Sequence, residues 1–240
     1  MVTRGLVLNG DCRALMCGPF DMIIADPPYG DTALAWDQKV RGWEAVALAA
    51  LKPGGSLWVF GSMRYFMVEG VPRGFRLAQD IVWEKHNGSG FAADRFKRVH
   101  EHVVQFYRAD APWAGVYNDV QRVPGEVNPS KNIKSRAAGS HLNKIGLAGY
   151  EYGPTRIARS VLKVKAPRDG KHKTQKPVEL LEMLIRTSCP LAGLVGDFFA
   201  GSGAVGEERS LADRNYIGCE IDAAMASAAN ARLENVHARP

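Results

Sequence analysis

Cysteine is scarce in this chain and carries no pattern. Four cysteines stand among 240 residues. Cys12 and Cys17 lie close together, Cys189 and Cys219 far away, and no C-x-x-C spacing occurs. That excludes the common zinc spacings and a disulfide framework, and reduced thiols in a cytosol are the expectation. No apolar run reaches the roughly 18 residues of a membrane-spanning helix. The opening "MVTRGLVLNGDCR" has too short an apolar run for a secretory leader, and no small-residue cleavage site follows it. Internal repeats and low-complexity tracts are missing too. His100 and His102 flank Glu101, but no third ligand accompanies them at a known spacing, so no metal is expected.

What is present is a chain with 46% hydrophobic residues, enough for a substantial core, and a net charge of +6. The positive charge is unevenly spread. It crowds residues 95–98 ("RFKR") and 156–176, where Asp169 is the only acid. Such clustering fits a polyanionic partner such as nucleic acid.

Periodicity and turn residues predict strands at 5–11, 21–26, 56–60, 75–85, 98–109, 194–200 and 215–222. They predict helices at 40–55, 177–189, 204–212 and 223–236, with Pro-Gly-Gly stopping the first and Pro177 opening the second. Strands alternating with helices imply an α/β fold with an open, mostly parallel, doubly wound sheet. Residues 110–170 are rich in Gly, Pro, Asn, Ser and Lys with little periodicity, and read as an irregular insertion in one domain spanning 1–240.

In open parallel sheets, ligands bind beyond the carboxyl ends of the strands. Asp11, Asp26, Asp197 and Glu220 all fall at or near predicted strand ends, which predicts one shared crevice. Around Asp197 the sequence "DFFAGSGAVG" holds a G-x-G-x-x-G at Gly201, Gly203 and Gly206, and Glu220 follows at the distance of a ribose-binding acid. This pattern points to an adenosine-type cofactor. A dinucleotide is disfavoured on two counts. The residues after Gly206 leave no room for the rest of a dinucleotide domain, so the other strands must precede it and the order is permuted. Asp197, just before the loop, would repel a pyrophosphate and attract an ammonium group. Both points favour S-adenosyl-L-methionine over NAD.

The second motif is "DPPYG", residues 26–30. Pro27 and Pro28 fix their φ angles and offer no N–H, so stiffly held carbonyls stand beside the Asp26 carboxylate. Tyr29 adds a flat ring. This combination accepts hydrogen bonds from an NH2 group while a planar base stacks on the tyrosine. Two acceptors on the amine hydrogens localise the nitrogen lone pair and make it nucleophilic, a positional and electrostatic gain. Trp36, just beyond, is either core or a border of the base site.

Taken together, these segments resemble the DNA amino-methyltransferases acting on adenine N6 or cytosine N4, in the arrangement where the catalytic motif precedes the cofactor motif. "NGDCRALM" (9–16), "DPPYG", "LKPGGSLWVFGS" (51–62), "HEHVVQFYR" (100–108), "HKTQKPVELLEMLI" (172–185), "DFFAGSGAVG" and "YIGCEID" follow the family's order along nearly the whole chain. The resemblance implies a Rossmann-like methyltransferase fold. It implies Asp26, Pro27, Pro28 and Tyr29 as the catalytic set. For the cofactor it implies Asp11 and Cys12 near the adenine, Lys176 at the carboxylate, and Asp197, Phe198, Phe199, Gly201, Ser202, Gly203, Glu220, Ile221 and Asp222 around the rest. The chain departs from the family at Lys173 and Phe198, where proline is usual, and at Ala204 and Val205, where a Thr-Thr pair is common. The aspartate heading the motif favours adenine N6, with cytosine N4 the alternative. Residues 110–170, above all 128–144, are expected to read the target in double-stranded DNA, whose base must be flipped out. A homodimer in a bacterial or phage-infected cytoplasm completes the expectation. Two rival readings are an NAD-dependent oxidoreductase and a non-catalytic DNA-binding protein.

Overall fold

The structure is a computed structural model, and it describes residues 5–30, 37–85, 93–125, 154–165, 176–206 and 213–237. Trp36, Lys173, the segment 128–144 and residues 207–212 lie outside these. By its contacts the chain divides into two compact units, 1–119 with 160–240, and 120–159.

The larger unit is built on an eight-stranded sheet. In chain order its strands are β1 (Gly5–Asn9), β2 (Phe20–Ala25), β3 (Leu51–Gly61), β4 (Phe75–Glu84), β5 (His100–Arg108), β8 (Val161–Lys163), β9 (Leu194–Asp197) and β10 (Asn215–Glu220). In space they run β1-β10-β9-β2-β3-β5-β4-β8. Every described pairing is parallel except those of β5 with β3 and β4. The sheet is therefore mostly parallel, as expected, with one reversed strand.

Helices cover both faces. They are α1 (Cys12–Leu15), α2 (Trp43–Ala50), α3 (Met63–Glu69), α4 (Val178–Ser188) and α5 (Ala223–His237). The central strands are apolar on both sides because both sides are covered. Met22 and Ile24 of β2 and Trp58 and Phe60 of β3 pack with Leu180, Leu184 and Ile185 of α4 and Ala229 of α5. Their alternates Ile23, Ala25, Leu57 and Val59 pack with Trp43 and Ala47 of α2 and with Phe198.

Some boundaries differ from the expectation. The helix expected over 40–55 begins only at Trp43, after Gly42 at φ +84°, and ends at Ala50. Pro53-Gly54-Gly55 then lies inside β3, where the register with β2 jumps from Phe20–Leu51 to Met22–Ser56. The tripeptide bulges within a strand instead of stopping a helix. Two helices were not anticipated. Asp11 caps α1 by accepting from Arg13 N–H, and Ser62 caps α3 by accepting from Tyr65 N–H, with Gly70 closing it. Residues 204–206, expected to start a helix, form turns.

The expected insertion at 110–170 is narrower as a compact unit. Its first part belongs to the larger unit: Tyr117 N–H donates to Gly54 O of β3 at 3.0 Å and Asp119 N–H to Thr187 O of α4 at 2.8 Å. Its last part supplies β8, and Trp83 Nε1 donates to Val164 O at 2.9 Å. The smaller unit contains the antiparallel pair β6 (Arg122–Pro124) and β7 (Thr155–Ile157). Among the described residues no helix is long and apolar enough to cross a membrane.

Candidate active site

Four neighbouring parallel strands, β1, β10, β9 and β2, end in acids. Asp11 follows β1, Glu220 ends β10, Asp197 ends β9 and Asp26 follows β2. Neighbouring strands stand about 4.8 Å apart, so the row spans about 14 Å along the carboxyl edge of the sheet.

At one end of the row is the Asp26 turn. Tyr29 donates its hydroxyl to Asp26 Oδ1 at 2.5 Å. Lys176, immediately before the Pro177 that caps α4, places Nζ 2.6 Å from Asp26 Oδ2. Lys176 Nζ also lies 3.6 Å from Glu101 Oε2 and 5.0 Å from the centre of the Phe60 ring. Glu101 Oε1 in turn accepts from Lys85. Burial and the Asp26 and Glu101 charges hold the Tyr29 hydroxyl well above its usual range, so it remains a donor. Its ring sits 5.4 Å from that of Tyr65. Pro27 is buried while Pro28 is half-buried, and Gly30, at φ +70°, donates its N–H to Asp37 Oδ1 at 2.8 Å. That left-handed glycine closes the turn.

The centre of the row is Asp197, buried beneath the glycine loop. It accepts from Tyr216 OH at 3.1 Å and Phe199 N–H at 3.3 Å. Burial pushes its carboxyl up to about 7, and Asp26 and Glu220 add to the rise, against the opposing pull of those two hydrogen bonds. Glu220 holds the loop in place: its Oε2 accepts from Gly201 N–H at 2.8 Å and its Oε1 from Asp222 N–H at 2.9 Å.

The three glycines of the loop do different work. A Cβ on Gly201 would meet nothing nearer than Met225 Cε at 3.9 Å, so this position faces open space. A Cβ on Gly203 would come within 2.9 Å of Ala229 Cβ, and one on Gly206 within 2.5 Å of Leu233 Cδ2. Gly203 and Gly206 let α5 pack against the loop.

Other residues of the expected cofactor set are placed as follows. Phe198 is fully buried, its ring edge-on to Phe20 and Trp43. Its side chain belongs to the core, and only its backbone reaches the loop. Cys12 is also core, and burial raises its thiol to about 11. Asp222 caps α5, accepting from Met225 N–H at 2.9 Å. Ile221 is exposed, with its carbonyl accepting from Asn9 Nδ2 at 3.2 Å. Ser202 accepts weakly from Arg232 Nη1. Asp11 pairs with Arg13 at 2.5 Å, and that contact holds its carboxyl below the usual range. Lys176, expected at the cofactor's carboxylate, lies on Asp26 in the free protein, where two carboxylates offset the cost of burying its charge. Glu101 and Lys85 were not anticipated at the site. The only sign of Glu101 was an acid between two histidines at the start of a strand.

This row suits S-adenosylmethionine. Its hydroxylated ribose, its sulfonium and its ammonium call for acceptors, and four acids are lined up here. Each Glu220 oxygen that accepts one backbone N–H keeps a second lone pair for a ribose hydroxyl. Asp197 offers a buried carboxylate for the ammonium, and the open side of Gly201 leaves the backbone accessible. Among the described residues no group of three or more His, Cys, Asp or Glu is arranged to hold a metal ion.

Comparison with known proteins agrees. A family model for N6/N4 methyltransferases, described as DNA methylase, matches residues 20–231. The chain is 26% identical to the type II methyltransferase M2.DpnII of Streptococcus pneumoniae, over 89% of this chain and 82% of that protein. Among solved structures, the M1.HpyAVI–SAM complex superposes with a TM-score of 0.64 at 22% identity, covering 96% of this chain and all of the other. The cytosine-N4-specific PvuII DNA methyltransferase also gives 0.64, at 16% identity over 99% and 92% of the two chains.

Proposed function

Because this chain belongs to the N6/N4 DNA methylase family, we propose that it transfers a methyl group from S-adenosylmethionine to the N6 amino group of an adenine flipped out of double-stranded DNA. The observation that carries the proposal is the Asp26 turn standing beside the Asp197 and Glu220 carboxylates at one sheet edge. An acceptor for an amine and a cradle for an adenosylated ammonium lie one strand apart.

The cofactor supplies an electrophilic methyl group on a positively charged sulfur. Asp197 holds the ammonium and Glu220 the ribose hydroxyls. Asp26 and the Pro27 carbonyl accept the two amino hydrogens of the base and turn its lone pair towards the methyl. Tyr29 covers the base. In the free protein both Asp26 oxygens are engaged, one by Tyr29 and one by Lys176. A carboxylate has about four lone-pair sites, so the amino group enters without loss of the Lys176 contact. The Tyr29 hydroxyl gives way when its ring moves to stack. The N–CH3 bond would form as the S–CH3 bond breaks, its electron pair staying on the sulfur, which leaves as a neutral thioether. The methylated nitrogen then sheds its extra proton to water.

The aspartate heading the motif supports adenine. Cytosine N4 is the second reading, and the equal fold similarity to the cytosine-N4-specific PvuII enzyme favours it. We assign target reading to the insertion around residues 128–144, whose Lys, Arg and Asn side chains suit phosphates and base edges. We also propose that the protein works as a homodimer in the cytoplasm of a bacterium or phage-infected cell. The test is to incubate the protein with S-adenosylmethionine and unmethylated plasmid, then analyse the nucleosides by mass spectrometry. N6-methyladenine supports the proposal. N4-methylcytosine overturns the base, and no methylated base overturns the function.

A further inference from the structure

We propose that Glu101 is a positioning residue: it anchors Lys176 on Asp26, and through Lys176 it sets which lone pairs of Asp26 meet the target amino group. The inference rests on the reading of Asp26 as the amine acceptor.

Asp26 is held by two neighbouring side chains. It sits on a turn after β2, and its side chain has two described partners, Tyr29 and Lys176. Tyr29 has to cover the base, so it cannot be the lasting anchor. That leaves Lys176, which carries a flexible four-carbon stem and precedes the first turn of α4 instead of standing on a sheet. A lysine so placed needs a second fixed contact before it can orient anything.

Glu101 provides it. It lies near the start of β5, an interior strand, paired with Trp83 of β4 and one residue before the His102 that pairs with Gly61 of β3. Its side chain is 17% exposed and that of Lys176 12%. Three elements meet at the lysine: Asp26 from the turn after β2, Glu101 from β5 and the Phe60 ring from β3. Beyond them, Lys85 backs Glu101 and Tyr29 backs Asp26. The charges alternate Lys85, Glu101, Lys176, Asp26, so each buried ion has an opposite neighbour, as burial requires.

One atom in this chain is conspicuous. Glu101 Oε2 is buried without a hydrogen-bond partner. Lys176 Nζ stands 3.6 Å from it, beyond hydrogen-bond distance. Buried unpaired polar atoms are few in native proteins, and each calls for an explanation. Here the arrangement leaves Lys176 drawn towards Asp26, at 2.6 Å, while Glu101 holds it from behind. Burial works against the Lys176 charge, but Asp26 and Glu101 outweigh it and raise its pKa. Burial likewise works against the Glu101 charge, and Lys176 and Lys85 outweigh that.

The experiment compares Glu101→Gln, Lys176→Met, Lys176→Arg and the Glu101→Gln/Lys176→Met double variant with the full-length protein, each first shown to be folded by circular dichroism. Glu101→Gln is expected to lower kcat about 10- to 100-fold, the range for a misplaced reacting group, while the S-adenosylmethionine Kd stays within about twofold, since this interaction is not part of cofactor binding. The double variant is expected to lose no more than Lys176→Met, because both act through one contact, and Lys176→Arg is expected to keep part of the rate. A Glu101→Gln rate like the wild type's, or a loss that adds in full to that of Lys176→Met, overturns the proposal. A readout independent of turnover is the Lys176 ammonium titration, followed by NMR of lysine-labelled protein. It should move to lower pH in Glu101→Gln, and an unmoved titration also overturns the inference. Failure of the underlying reading looks different: Asp26→Ala would remain as active as the wild type, or the wild type would methylate no DNA, while the Lys176 titration still decides the role of Glu101.

Discussion

Tyr29 donates its hydroxyl to Asp26 at 2.5 Å, so the stacking ring and the acceptor assigned to the target amine are bonded to each other in the free protein. The site is satisfied internally until a base arrives. That relationship separates the two residues experimentally. Tyr29→Phe keeps the ring and removes the bond to Asp26, whereas Tyr29→Ala removes both. Stacking on an aromatic side chain is worth about 1–3 kcal/mol per base. Tyr29→Phe is expected to keep kcat/KM for DNA within about tenfold of wild type, and Tyr29→Ala to fall further by about that stacking energy. Steady-state methylation of one duplex substrate checks the order.

Asp26→Ala should abolish transfer and leave the cofactor site intact, because Asp26 lies one strand beyond Asp197 and two beyond Glu220 in the row. The expected loss in kcat is at least about 10³-fold, comparable to removing a principal electrostatic donor or acceptor elsewhere. Calorimetric S-adenosylmethionine binding should remain near wild type. A variant that keeps its rate would remove Asp26 from the mechanism.

The pH dependence of cofactor binding follows from Asp197. Its carboxyl is raised to about 7 from an ordinary 3.8, yet only the ionised form pairs with an ammonium. Binding should therefore weaken as pH falls below about 7, by up to about tenfold per unit, and level off above it. Near neutrality, binding should release protons, seen as a calorimetric enthalpy that varies with buffer. The folded carboxyl holds a proton that the unfolded one has released between 3.8 and about 7, so this group's stability contribution declines as pH rises through that window and is lost above it. Asp197→Asn should flatten both profiles.

The glycine loop can be dissected by single methyl groups. Gly203→Ala places a Cβ 2.9 Å from Ala229 Cβ at φ +76°, whereas Gly201→Ala meets only Met225 Cε at 3.9 Å, at φ +51°. Gly203→Ala should cost on the order of 2 kcal/mol or more from strain and the shift of α5. Gly201→Ala should cost less in stability and more in cofactor affinity. Thermal melts and calorimetry of the two variants separate the roles.

Much of this was legible along the chain, because short-range chemistry leaves short-range marks. Pro-Pro after an aspartate can only be a stiff turn, glycines between a strand and a helix mark a tight one, and alternating apolar segments call for a sheet covered on both faces. Elements were misjudged where a distant partner decided them. Pro53-Gly54-Gly55 looks like a stop signal, but β2 and Tyr117 hold it as a bulge within β3. Phe198 stands in the cofactor motif, and its ring was claimed by Phe20 and Trp43. The helices α1 and α3 had their caps, Asp11 and Ser62, in plain view, but they were too short for a period to show.

By itself the sequence determined the turn chemistry at Asp26, the glycine loop, the acids at strand ends and the permuted motif order, since each depends on neighbours a few residues away. Only the tertiary structure decided the rest. It reversed β5 and placed it between β3 and β4, which brought Glu101 to the site from 75 residues away in sequence from Lys176. It also turned Lys176 onto Asp26, because a buried ammonium goes where carboxylates from separate strands converge, and that point exists only once the sheet is assembled.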